Sequence, residues 1–231
     1  MDPTSPGLLG AVGEHTSRLL ATAEGLDDVR ADSLCEGWTR AHVLSHVARN
    51  ADGLAALVRA AVDRSGETMY ASPEQRDADI DAGADRSAAE LAADVRSSAD
   101  ALAAQLPRLG PEHAGVRLER TPGVVMMTAE KIPFTRLREL VFHHVDLDAG
   151  FGFADVEPEL QRLLLEDEVR RLAACDPPVD VELRTTEGDA WTVGAGTASV
   201  SGSRGSLLGW LGRGLTDGVA GDALPPLPGG R

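Results

Sequence analysis

Apolar residues recur at helical spacing in four long stretches of the chain. In residues 7 to 25, Leu8, Val12, Leu19 and Leu20 fall near one face, and Gly25 supplies a stop. A stronger pattern follows the segment CEGWT. Thr39 is placed to cap a helix running through HVLSHVARNADGLAALVRAAV, with Val43, Val47, Leu54 and Val58 along its apolar face. From Ser87 to Leu106 the chain is rich in helix formers, carries Leu91, Val95 and Leu102 on one side, and meets Pro107 as a stop. The fourth stretch, TAEKIPFTRLRELVFHHVDLDAGFG, tolerates Pro133 in its first turn and ends at Gly150 and Gly152.

Between the second and third helices, SGETMYASPEQRDADIDAG is punctuated by Gly, Ser and Pro and reads as a long connection with a short helix after Pro73. Long connections inside compact domains often carry function. Residues 107 to 128 read as irregular or partly extended. Past residue 152 the pattern changes. EPELQRLLLEDEVRRLAA is a helix, VDVELRTTEGDAWTVGAGTASVSG alternates as short strands between Gly turns, and SRGSLLGWLGRG closes as a helix. The tail DALPPLPGGR is expected to fray. The economical fold is α+β, a four-helix bundle over residues 1–152 followed by a small α/β domain over 153–231.

Composition narrows the function. The 231 residues carry a formal charge of −15, which opposes unspecific attraction to nucleic acid or to an anionic membrane, so neither partner is expected. No stretch approaches the roughly 20 apolar residues of a membrane span, and the start shows no secretory pattern, so a cytoplasmic protein is expected. Cys35 and Cys175 are too few and too far apart for a disulfide framework or a cysteine-based zinc site, and reduced thiols are expected.

The fourth helix carries an unusual amount of titratable chemistry. At about 100° per residue, Glu139, His143 and Asp146 share roughly 60° of arc, with Arg136 slightly outside and Leu140, Leu147 and Phe142 alongside. Such groups facing a core or cleft must pair with one another, with arginines, or with a metal. Glu and His four apart reach one ion or make a simple salt bridge, and the spacing alone leaves both open. His46 lies beside the apolar face of the second helix, with Asn50 one turn on and pointing inward. It reads as a core histidine or as a third ligand. Two histidines and a glutamate form the donor set of open zinc sites, in which a remaining position takes water or substrate. His42, His144, His15 and His113 read as surface or packing residues.

Taken together, GWTRAHVLSHVARNADGL, MYASPEQRDADI, RLRELVFHHVDL and SGSRGSLLGWLGRG resemble the mycothiol-dependent maleylpyruvate isomerase family, in four ordered blocks covering nearly the whole chain. The doubled His143-His144 departs mildly from the family pattern, in which a small residue follows the ligand. The resemblance implies a DinB-like bundle holding a divalent metal, usually zinc, on His46, Glu139 and His143, with a smaller α/β domain after it. It implies conversion of 3-maleylpyruvate to 3-fumarylpyruvate in gentisate catabolism, with mycothiol as cofactor and a metal-bound thiolate adding reversibly to the double bond. Neither cysteine of the chain is needed for that step. The two substrate carboxylates call for local arginines. Arg213, also the catalytic candidate, and Arg76 lead, with Arg136 and Arg138 behind them. Tyr70 is a candidate hydroxyl toward substrate, and Asn50 and Asp146 are expected to support the ligands. A monomer is expected. A mycothiol S-transferase using the same ligands and a non-enzymatic metal-binding protein are the alternatives, and the donor set also suits iron, nickel or manganese.

Overall fold

In a computed structural model that describes residues 6–177, 179–221 and 223–227, the chain divides into two compact units, 1–149 and 150–231. The first holds α1 (Pro6–Glu24), α2 (Arg40–Asp63), α3 (Pro73–Ala84), α4 (Ala88–Gln105), β1 (Arg117–Thr121), β2 (Val124–Thr128) and α5 (Ile132–Asp146). The periodic apolar residues become its core: Leu19, Val43, Val47, Leu54, Val58, Leu91 and Val95 are fully buried, and Leu8, Val12, Leu20 and Leu102 nearly so. Helix α2 packs against α4 and α5, and α1 packs against the same two. Thr39 is the N-cap residue of α2, and Ser72 and Ser87 cap α3 and α4 through side-chain acceptance of Gln75 and Glu90 N–H groups.

Three local features differ from the periodicity reading. The segment after Pro73 is a full 12-residue helix, because Ser72 caps it and Pro73 sits where a missing N–H costs nothing. Part of the 107–128 stretch is an antiparallel hairpin, β1 on β2, turned by Gly123 at φ +80°. The chain between α2 and α3 is bonded to β1: Met69 N–H donates to Glu119 C=O and Tyr70 N–H to Arg120 C=O. Helix α5 starts at Ile132 and stops at Asp146, before the glycines, and Asp148 takes a left-handed conformation at φ +46°.

The second unit holds α6 (Pro158–Ala173), β3 (Val181–Thr185), β4 (Ala190–Val193), β5 (Ala198–Gly202), α7 (Arg204–Arg213) and β6 (Val219–Ala220). Its sheet runs β4-β3-β5-β6, with β3 and β5 parallel and the other pairs antiparallel. Helices α6 and α7 pack on each other and bury Leu164, Leu165, Leu207, Leu208 and Leu211. Strand β6, with two residues, is too short to leave a pattern. Of the tail expected to fray, residues 222 and 228–231 lie outside the described residues. No described helix is long and apolar enough to cross a membrane.

Helix α3 is seated on α2 by a close approach. A Cβ at Gly83 would overlap the Ser45 hydroxyl, which donates to the Ile80 carbonyl at 2.9 Å. Gly83→Ala is therefore expected to destabilise the protein by about 1–3 kcal/mol through overpacking, read as a lower denaturation midpoint. An unchanged midpoint would show that α3 does not depend on this contact.

Candidate metal centre

Helices α2 and α5 bring His46, Glu139 and His143 together. Glu139 Oε2 is 2.9 Å from His46 Nε2 and 3.4 Å from His143 Nε2, and one ligand atom from each residue lies within 4.8 Å of the others. The two imidazoles meet edge to face with centroids 4.6 Å apart. The spacing along α5 explains half of this, since residues four apart stack on one face. The other half comes from α2, whose Val43 and Val47 are fully buried and turn His46 inward with them. The Glu139 and His143 side chains retain 20% and 13% of their exposure, so the cluster is not sealed from solvent.

The donors suit a divalent cation. One carboxylate oxygen and two ring nitrogens converge from two helices, which is the chemistry of an open site rather than a closed structural one. His143 Nδ1 bonds Asp146 Oδ2 at 2.8 Å, fixing the ring with Nε2 toward Glu139, the arrangement that carboxylates give to ligating histidines. His46 Nδ1 instead meets Arg76 Nη2 at 3.3 Å. A guanidinium only donates, so this contact needs an unprotonated Nδ1, whereas a histidine coordinating through Nε2 carries its proton on Nδ1. Arg76 and a metal thus make opposite demands on this ring.

The electrostatics follow from burial and contact. Burial, then the charge of His143, lower His46 to about 4 against the pull of Glu139. Burial also opposes charge on His143 and Glu139. Hydrogen bonds that His143 makes to Asp146, Cys35 and Glu139 nevertheless raise it well above the usual imidazole range, and those donated by His143 and His46 hold Glu139 well below the usual carboxylate range. The cation-free cluster holds a proton on His143 where a metal would compete for it.

Around the cluster, Trp38 lies 5.4 Å from the His46 ring, and the Arg76 guanidinium sits 6.0 Å from Trp38 and 5.8 Å from Tyr70. Arg120 approaches the other reach of Tyr70 at 6.0 Å. Arg76 also pairs with Asp77 at 2.6 Å, and burial pushes the Tyr70 phenol upward.

The remaining expected residues fall in different places. Asn50 Oδ1 accepts from Arg136 Nη1 at 2.9 Å, and the same nitrogen reaches the Val47 carbonyl at 2.8 Å. Arg136 is locked in the core, where burial lowers it to about 10, and Arg138 lies 4.4 Å over Phe142. Arg213, at the end of α7 in the second unit, donates to the Gly212 carbonyl at 2.7 Å. His15 and His144 are buried, with His144 bonded to Thr22; His42 accepts the Thr39 N–H, and His113 that of Gly110. All four stay outside the cluster. Cys35, Trp38 and Arg120 were not anticipated, because they reach the site from loop and strand-end positions that carry no periodic signal.

A family profile described as the mycothiol maleylpyruvate isomerase N-terminal domain matches residues 12–148. Two solved structures are similar over nearly the full length. A crystal structure of the mycothiol-dependent maleylpyruvate isomerase has a TM-score of 0.86 at 26% identity, and a histidine-to-alanine variant of it has 0.86 at 25%, each covering 96% of this chain and 95% of that one. No curated protein sequence matches significantly.

Two outcomes test the cluster. His46→Ala, Glu139→Ala and His143→Ala should each purify with little bound metal, and full occupancy in all three would end the ligand assignment. Because His46 is already neutral above about pH 5 while His143 is protonated, metal uptake near neutral pH should release one proton, and affinity should fall as pH is lowered. Calorimetry in buffers of different ionisation enthalpy counts that proton; zero or two would contradict this protonation scheme.

Proposed function

The chain belongs to the family of the mycothiol maleylpyruvate isomerase N-terminal domain, and from that premise we propose that it is a mycothiol-dependent cis–trans isomerase converting 3-maleylpyruvate to 3-fumarylpyruvate in gentisate catabolism. The observation that carries the proposal is the convergence of His46, Glu139 and His143 within 4.8 Å. In this reading α1, α2, α4 and α5 form the DinB-like four-helix bundle, the protein acts as a cytoplasmic monomer, and zinc is the preferred ion.

Isomerisation requires the cis double bond to become single for a moment, and reversible addition of a thiolate meets that requirement without net redox change. A divalent metal bound at the cluster would supply the Lewis acidity that keeps a small-molecule thiol ionised, since a free thiol has a pKa near ~8.5. Glu139 enters already ionised and His46 already neutral, so two of the three donors need no deprotonation. Asp146 fixes the His143 ring. Arg76, beside Trp38 and Tyr70, offers a guanidinium fork to a substrate carboxylate on a chain that is otherwise acidic. Tyr70 stands next to it as a phenol toward substrate. Arg213 enters as the arginine that stabilises negative charge developing on the substrate's carbonyl oxygen.

The decisive assay follows maleylpyruvate by ultraviolet absorbance with the metal-loaded protein, with and without mycothiol, while free thiol is counted. Turnover only with mycothiol, at constant thiol, is expected. Stoichiometric loss of thiol would identify an S-transferase instead, and turnover without thiol would remove the cofactor from the mechanism. Arg213→Ala should keep its metal and lose about 10²-fold in turnover, and unchanged kinetics would dismiss its role.

A further inference from the structure

Cys35 sits in the loop between α1 and α2, and that loop is laid against the C-terminal end of α5. Leu34 N–H donates to the Asp146 carbonyl at 3.0 Å, and Arg40 donates to the carbonyls of Leu147 and Asp148 at 2.7 Å each. Inside the loop, Cys35 N–H bonds Ser33 Oγ at 3.1 Å, and Trp38 N–H bonds the Cys35 carbonyl at 2.9 Å. The backbone of Cys35 is thereby held on both sides. Its thiol donates to Asp146 Oδ2 at 3.2 Å, the same oxygen that bonds His143 Nδ1.

Asp146 is fully buried, so its carboxylate depends on donors supplied by the protein. The bond from His143 ties the carboxylate only to its own helix, because donor and acceptor both sit on α5. The thiol comes from a different element and ties the oxygen to the loop. The carboxylate plane is then fixed from outside α5, and with it the angle at which His143 presents Nε2.

We infer that Cys35 is a positioning residue, whose thiol acts through Asp146 to orient His143 and so sets the affinity of the centre for a divalent metal. This rests on the reading of His46, Glu139 and His143 as ligands. Cys35 has no part in addition to the double bond. Its sulfur also lies within 4.8 Å of donor atoms of His143 and Asp146 and is hydrogen-bonded to the His143 ring, so direct action on His143, which full additivity with Asp146→Asn would reveal, and direct ligation by the thiolate are the competing arrangements.

Zinc affinity, measured by chelator competition on the full chain, separates these outcomes. Cys35→Val, which removes the donor at similar volume, should weaken binding about 3- to 10-fold, less than the ~10–100-fold typical of partners bonded directly to a ligand. Cys35→Ser, which restores a donor, should return to within about 2-fold of wild type. On an Asp146→Asn background, Cys35→Val should add nothing, because the relay is already cut. Cobalt-substituted wild type should lack a sulfur-to-metal charge-transfer band. Equal affinity for wild type and Cys35→Val, full additivity with Asp146→Asn, or a thiolate band lost in Cys35→Val would each overturn the inference. Wild type that binds no metal would instead overturn the ligand reading beneath it. Circular dichroism of each variant establishes that a lost affinity is not a lost fold.

Discussion

One carboxylate shared between imidazoles from two helices is the constraint around which the first unit is arranged. Glu139 is ionised because His46 and His143 stand against it, and His143 holds its proton because Glu139 and Asp146 stand on either side. None of these groups is tolerable alone in an apolar interior. The helices carrying them must therefore hold their separation. Arg136 does this from one side by reaching from α5 to the Val47 carbonyl and Asn50 on α2, and Arg40 does it from the other by reaching from α2 to the end of α5.

Beside the cluster, an acidic chain gathers cations in one place. Arg76 and Arg120 both face Tyr70, and Arg76 lies against Trp38 as well. Main-chain pairing puts them there. Met69 and Tyr70 N–H groups donate to the Glu119 and Arg120 carbonyls of β1, which carries Tyr70 to Arg120, and Ser72 starts the helix that brings Arg76 to His46. With an overall charge of −15, attraction of an anion to this protein is a local matter.

What the sequence made legible is what helical periodicity encodes. The common face of Glu139, His143 and Asp146 follows from spacing within one helix, and the inward turn of His46 follows from its buried neighbours Val43 and Val47. Pairings between elements were less accessible. Asn50 was recognisable as inward-facing, but its partner, Arg136, depends on how α2 and α5 cross. Cys35, Trp38 and Arg120 carried no periodic signal, since their approach to the site is set by hydrogen bonds between loop, strand and helix backbones. A buried carboxylate such as Asp146 implies unseen donors, and that requirement is the one hint by which Cys35 was discoverable.

Just past the end of α5, the contact with α2 is read through carbonyl oxygens. Arg40 recognises positions 147 and 148 only by their peptide groups, and Leu34 recognises Asp146 in the same way. Sequence drift at 147 and 148 leaves these two hydrogen bonds of Arg40 available so long as the chain keeps its course. The anchoring of α2 to the end of α5 by Arg40 is thus buffered against side-chain change at 147 and 148, while position 146 has no such latitude.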